Sequence, residues 1–232
     1  MTSSYSDLGL ELMVTGADAG TWGDKTNSNL NLINQGIGGY QAIDVASGDV
    51  TLAVTDATIS NGRNMTLEFT GTLAANRTVN FPASVEKVFN VIDSTNHAGY
   101  TLTFKVTSAA GFLLCEGNSY LCHSNGTNII KDLEFKKWRA ITAAETIQAG
   151  AQILANTNGG AFALTLPASP NTGDEVSVVD QGYDFNTNAL TIGRNSSNIA
   201  NAAADLVINT QGAGFTLVYS GDATTGWTYK EK

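Results

Sequence analysis

Beyond about residue 40, the apolar side chains fall on alternate positions in short runs: Leu164/Leu166, Val176/Val178, Leu190/Ile192, Leu206/Ile208, Phe215/Leu217/Tyr219 and Trp227/Tyr229. Period-two alternation turns one side of an extended chain toward a core and the other toward water. Such runs recur at roughly ten-residue spacing, with Asn-, Gly- and Asp-rich connections between them, the rhythm of an antiparallel β-sandwich or barrel. No helix is long enough to serve a parallel βαβ crossover, and Gly159-Gly160 reads as a hairpin turn.

The opening segment has a different pattern. Gly16 to Gly23 is a loop by its glycines, with Trp22 as its one large apolar anchor. From Asp24, read as an N-cap, the run Lys25 to Gln35 places Leu30, Ile33 and Ile37 at i, i+3 and i+7, and Gly36, Gly38 and Gly39 close it. Asn27, Asn29, Asn31 and Asn34 are poor helix formers, so this helix needs something to pack against. Two partners fit: the adjacent β domain, or the same helix from other copies around a symmetry axis.

An internal repeat organises the remainder. Thr78-Val79-Asn80-Phe81-Pro82-Ala83-Ser84 matches Ala163-Leu164-Thr165-Leu166-Pro167-Ala168-Ser169, an offset of 85 residues. Val91-Ile92-Asp93 then matches Val178-Val179-Asp180, Leu102-Thr103-Phe104 matches Leu190-Thr191-Ile192, and Tyr120 to Ser124 matches Thr216 to Ser220, in unchanged order. The expected fold is therefore mainly β: a short N-terminal loop and helix over 1–40, then two related antiparallel sandwich or barrel modules, 41–137 and 138–232.

Composition agrees with strands and turns. Among 232 residues there are 24 Gly, 28 Thr and 22 Asn against only 3 Pro, and charged residues make up 14%, about half of ordinary usage. The surface is thus largely uncharged and polar. A net charge of −9 leaves no general cationic field for a phosphate backbone, so non-specific nucleic-acid binding is not expected. No apolar run is long enough for membrane insertion, and residues 1–7 lack the basic start of a signal peptide. Cys115 and Cys122 flank a hairpin-like connection; free thiols in a cytoplasmically made product are the expectation, a cross-strand disulfide the alternative.

Catalytic and metal motifs are not recognisable. His97 and His123 have no nucleophile and acid in a known arrangement and read as turn or surface residues. No Cys-x-x-Cys, His-Glu-x-x-His or EF-hand spacing occurs, so neither metal nor cofactor is expected. Asp18 with Asp24 offers a calcium alternative to capping and turn formation. Asp93 and Asp180 would be the carboxylate pair of a glycosidase, yet a residue duplicated at equivalent places is more economically a turn former than half of an active site. Exposed rings flanked by amides can stack on sugars, which singles out Tyr183 and Trp227 as possible ligand contacts, beside core packing for most of the aromatics. Lys136-Lys137-Trp138-Arg139 offers either contact with an acidic partner or a solvated linker.

The stretch Thr15-Gly16-Ala17-Asp18-Ala19-Gly20-Thr21-Trp22-Gly23-Asp24-Lys25-Thr26-Asn27 resembles the N-terminal motif of tail-fibre-like virion structural proteins of bacteriophages, notably marine ones. Phe162 to Ser169 and Leu217-Val218-Tyr219 are similar to a β module of phage fibre and appendage proteins. The resemblance implies a non-enzymatic virion protein, usually homotrimeric, attached to tail or capsid proteins through its N-terminal part. Without a repetitive shaft or large distal tip, the chain suits a short appendage, a tail-attached fibre or adaptor, or a knob-like capsid decoration. The expected trimer would place Leu30, Ile33 and Ile37 on its axis and use Trp22 as an anchor. A carbohydrate-binding module meeting a host surface glycan is the alternative.

Overall fold

The computed structural model describes residues 4–231, among which are twenty strands, one α-helix and one 3-10 turn. The protein is mainly β. The first residues of the signal-peptide reading, 1–3, lie outside the described residues. Strands β1 (Ser4–Tyr5) and β2 (Glu11–Leu12) pair antiparallel and precede α1 (Trp22–Gly38). There follow β3 (Tyr40–Asp44), β4 (Val50–Thr51), the 3-10 turn Asn61–Arg63, β5 (Thr66–Thr72), β6 (Arg77–Phe81), β7 (Glu86–Asn96), β8 (Leu102–Val106), β9 (Phe112–Leu114), β10 (Ser119–Asn125) and β11 (Ile129–Phe135). The second series is β12 (Trp138–Ile141), β13 (Glu145–Thr146), β14 (Gln152–Ala155), β15 (Phe162–Thr165), β16 (Glu175–Asp180), β17 (Leu190–Gly193), β18 (Leu206–Ile208), β19 (Gly214–Tyr219) and β20 (Trp227–Glu231).

Two compact units divide the chain, one reaching Leu114 and adding Asn118–Phe135, the other joining Cys115–Gly117 to the chain from Lys136 onward. In the first, one sheet has the order β11-β10-β7-β5-β3 and the other β4-β6-β8-β9; in the second, the orders are β20-β19-β16-β14-β12 and β13-β15-β17-β18. Adding nine to each number from β3 to β11 reproduces the second unit. The matched sequence blocks fall on corresponding strands: β6 with β15, β7 with β16, β8 with β17, and β10 with β19.

The units are β-solenoids, which corrects the sandwich or barrel expectation. From β3 to β8 the chain changes sheet at every strand, and each strand from β5 on pairs in parallel with the one two before it. The second unit does the same from β12 to β17. Apart from the β1–β2 pair, antiparallel pairing among the described residues enters only with the last three strands of each unit, which close the stack. A parallel pair needs a long return path, and here the strand of the facing sheet supplies it, so no crossover helix is required. Gly159-Gly160 accordingly lies at a corner between sheets, with the Gly160 N–H donating to Thr157 O at 2.9 Å, not in a hairpin.

Each unit encloses its own core. In the first, Phe69, Phe81, Phe89 and Phe104 are fully buried, their rings in tilted and edge-to-face contacts with centroids 5.3–6.5 Å apart. In the second, Leu164, Val178, Phe185, Leu190 and Trp227 have no exposed surface. Burying each such side chain is worth about 1.5–3 kcal/mol. The thiols are free and buried in different cores, Cys122 in the first and Cys115 in the second. Burial pushes the Cys122 thiol up to about 12, which keeps it protonated and unreactive near neutrality.

Candidate functional site

The opening segment is built from polar contacts. Helix α1 starts three residues before the expected Lys25, with Thr21 as its N-cap residue, and runs through Gly36 to Gly38. Asp24 lies in the first turn and is not the cap. Gly39 ends the helix, its N–H donating to Gln35 O at 2.9 Å. Two amides of α1 bind backbone as a neighbouring strand would: Asn29 Oδ1 accepts the Glu11 N–H and its Nδ2 donates to Glu11 O, each at 2.9 Å. Gln35 does the same with Ser60, at 3.3 and 3.1 Å. Lys25 bridges Asp18 at 2.6 Å and Glu11 at 2.5 Å, and its hydrogen bonds, first to Asp18 and then to Glu11, raise the ammonium above the ordinary lysine range. Asp18 is thereby engaged by a lysine, which disfavours the calcium alternative, and among the described residues no cluster of His, Cys, Asp and Glu could hold a metal ion.

This helix meets its own chain through Lys25, Asn29, Gln35 and Leu32 and leaves most of its large apolar residues in water. Leu32 is its one buried residue, while Trp22, Leu30, Ile33 and Ile37 are exposed by 64%, 56%, 41% and 70%. At about 100° per residue, these four share a stripe roughly 80° wide, some 120° from the face that carries Lys25, Asn29, Leu32 and Gln35. Of the two packing partners expected for the helix, its own chain is met through Leu32, Asn29 and Gln35, while the Trp22, Leu30, Ile33 and Ile37 stripe is left exposed. Trp22 also lines a cleft of about 560 Å³ with Met13, Val14, Gly16, Asp18 and Ala19.

The other candidates separate. Tyr183 is 67% exposed on the loop after β16 and adopts a positive φ of 54°. Gln211 Nε2 donates to Tyr183 O at 2.9 Å, and the ring lies against Gly212. Trp227 is wholly buried and packs on Tyr219 at 5.5 Å between ring centroids. It cannot meet a ligand, which corrects its place as a contact residue: alternation sends it inward with Tyr229.

The acid pair is structural. Asp180 ends β16 and accepts backbone N–H groups from Asp184 and Phe185 at 3.3 Å and from Gly212 at 2.9 Å, tying two loops together. Asp93 lies inside β7 instead of at a strand end, accepting the Thr95 N–H at 3.1 Å and facing His97 Nε2 at 2.8 Å. His97 is buried at 3% exposure, which corrects its surface reading; His123 is partly exposed and meets Asp132 at 2.7 Å. The basic cluster is largely neutralised within the chain: Arg139 pairs with Glu145 and Glu116, and Lys136 with Glu175. No helix among the described residues is long and apolar enough to cross a membrane.

No family model and no curated protein matches the chain. A solved structure described as "Structure of a chaperone-substrate complex" is similar over 83% of this chain at 15% identity and a TM-score of 0.36. The chain spans 35% of that structure's length.

Proposed function

We propose that the protein is a structural subunit of a bacteriophage particle, a short tail-fibre or appendage-type protein that assembles as a homotrimer through α1. The observation that carries this reading is the exposed stripe of α1: a 17-residue helix held to its own chain by amides, a lysine and Leu32, with Trp22, Leu30, Ile33 and Ile37 in water. Leu30, Ile33 and Ile37 have the a, d, a spacing of a coiled-coil seam, and closed symmetry would bury the same stripe on every copy. The Thr15–Asn27 stretch, on which the resemblance to phage proteins rests, forms the cleft at the head of this helix, which would serve attachment to tail or capsid proteins. A knob-like capsid decoration is the second placement.

Light scattering behind a sizing column tests the assembly. The chain should elute at three times its 24.3 kDa, and Ile33→Lys with Ile37→Lys should return it to a monomer without lowering its melting temperature. A monomeric parent at micromolar concentration would overturn the trimer. Gold-labelled antibody on intact particles tests the location separately: label on tail or capsid is expected, and particles that never label would remove the virion reading.

A further inference from the structure

The strands that open the two solenoids begin alike, Tyr40-Gln41-Ala42-Ile43 on β3 and Trp138-Arg139-Ala140-Ile141 on β12. In both, the first residue is a large aromatic with substantial exposure, 57% for Tyr40 and 42% for Trp138. Alternation turns the fourth residue, Ile43 or Ile141, into the core and leaves the aromatic on the outer face of the sheet. Strand register continues each ring into a row. Trp138 is paired with Gln152, Gln152 with Ser177 and Ser177 with Thr216; Tyr40 is paired with Thr66 and Thr66 with Asn90. Through the matched blocks, Asn90 and Ser177 are equivalent positions. An aromatic followed by uncharged hydrogen-bonding side chains is thus present at the same place in both solenoids.

In the second unit the row lines a groove of about 400 Å³, walled by Trp138, Gln152, Ser177, Val179, Gly214 and Thr216. None of these carries a charge. Ser177 and Thr216 hydroxyls lie 3.0 Å apart and hold each other in place, while Gln152 is half-buried. Along the row, successive side chains are set at the strand spacing of about 4.8 Å, close to the length of one pyranose unit in an extended chain. Charged neighbours flank both rows: in the first unit the Tyr40 hydroxyl is bonded to Glu68, whose other oxygen accepts from Ser94 at 2.6 Å, and in the second Glu175, two residues before Ser177 on β16, is paired with Lys136 and Lys230.

We infer that the Trp138 groove is a binding site for an extended, neutral hexose chain, with the indole as stacking platform and Gln152, Ser177 and Thr216 as partners for sugar hydroxyls. A flat apolar ring beside a short set of oriented, uncharged polar groups suits a sugar, which presents an apolar C–H face and a rim of hydroxyls. The uncharged lining disfavours phosphate, nucleic acid and acidic peptide. The groove is distinct from Tyr183 and from α1, so this inference stands apart from the trimer.

Titration calorimetry of the intact protein with β-1,4-linked glucohexaose and mannohexaose tests it. At least one should bind in the micromolar to millimolar range, with Trp138→Ala weakening binding by about tenfold or more, Trp138→Phe retaining much of it, and Tyr183→Ala changing nothing. Ser177→Ala, a small change on the outer face, should weaken binding without loss of folded signal. Absence of heat with both hexaoses at millimolar concentration, or binding that Trp138→Ala leaves intact, would overturn the assignment. So would a fall in oligomer mass on Trp138→Ala, which would make the groove a contact between copies.

Discussion

Lys87 enters the first unit from β7 with its ammonium against two backbone carbonyls, Arg63 O at 2.9 Å and Asn64 O at 2.7 Å, and over the Phe89 ring at 5.3 Å from the centroid. Burial, and then the charge of Arg63, lower its pKa from 10.5 to about 8. The unfolded chain consequently holds this proton more tightly than the folded one, and stability should rise with pH between about 8 and 10.5, by about 1–3 kcal/mol. Below pH 8 both states are protonated and the burial cost is constant. Denaturation midpoints across this range should climb in the parent and climb less in Lys87→Met; parallel profiles would show that Lys87 does not titrate as described. Asp93 and Asp180 belong to the same scale. Duplication marked both as parts of the fold, and Asp180 accepts three backbone N–H groups, but the His97 partner of Asp93 has no counterpart in the second unit and lay beyond what the repeat could indicate.

At the scale of elements, β20 shows how one backbone position can govern a strand. Gly226 has a φ of +66°, and a Cβ there would come within 1.9 Å of the Asn198 carbonyl oxygen. That carbonyl accepts the Trp227 N–H at 2.8 Å, and the Ala200 N–H donates to Trp227 O at 2.7 Å. A side chain at 226 would therefore force apart the contacts that deliver Trp227 to the core. Gly226→Ala should cost about 2–4 kcal/mol, combining left-handed backbone strain with partial loss of a buried aromatic, and thermal melting against a Gly159→Ala control, where a Cβ meets nothing within 4 Å, would register it. Strand positions were legible because Leu164/Leu166 and Val176/Val178 alternate. Pairing direction was not, because the solenoid also leaves one face of each sheet in water, so parallel and antiparallel strands write the same period-two pattern. The start of α1 was missed because Trp22 and Gly23 read as part of the glycine loop, whereas the Lys25 N–H donates to Thr21 O at 3.1 Å and carries the helix back to Trp22. The aromatic on the outer face was within reach: Tyr40-Gln41-Ala42-Ile43 against Trp138-Arg139-Ala140-Ile141 extends the repeat upstream of the blocks that revealed it.

For the whole molecule, the repeated topology makes a quantitative demand. Val91 on β7 and Val178 on β16 are fully buried, sit at equivalent sequence positions, and lie on the central strands of sheets with the same order. Each is flanked by a parallel partner, β5 or β14, and an antiparallel one, β10 or β19. If topology governs local stability, Val91→Ala and Val178→Ala should each cost about 2 kcal/mol through lost burial and a residual cavity. The neighbours differ: Val91 is paired in register with Leu67 and Tyr120 in a core that holds the phenylalanine cluster, whereas Val178 is paired with Ile153 and Phe215. A core that relaxes around the gap lowers the cost, so any inequality measures packing and not strand order. Hydrogen-exchange mass spectrometry can resolve β7 from β16 within one intact protein, because central-strand amides exchange through the larger opening events of their unit. Matched losses of protection would establish that the two solenoids are energetically as well as topologically repeated. Losses that differ by more than about 1 kcal/mol would mean that the aromatic cluster of the first unit, and not the shared strand order, sets its stability.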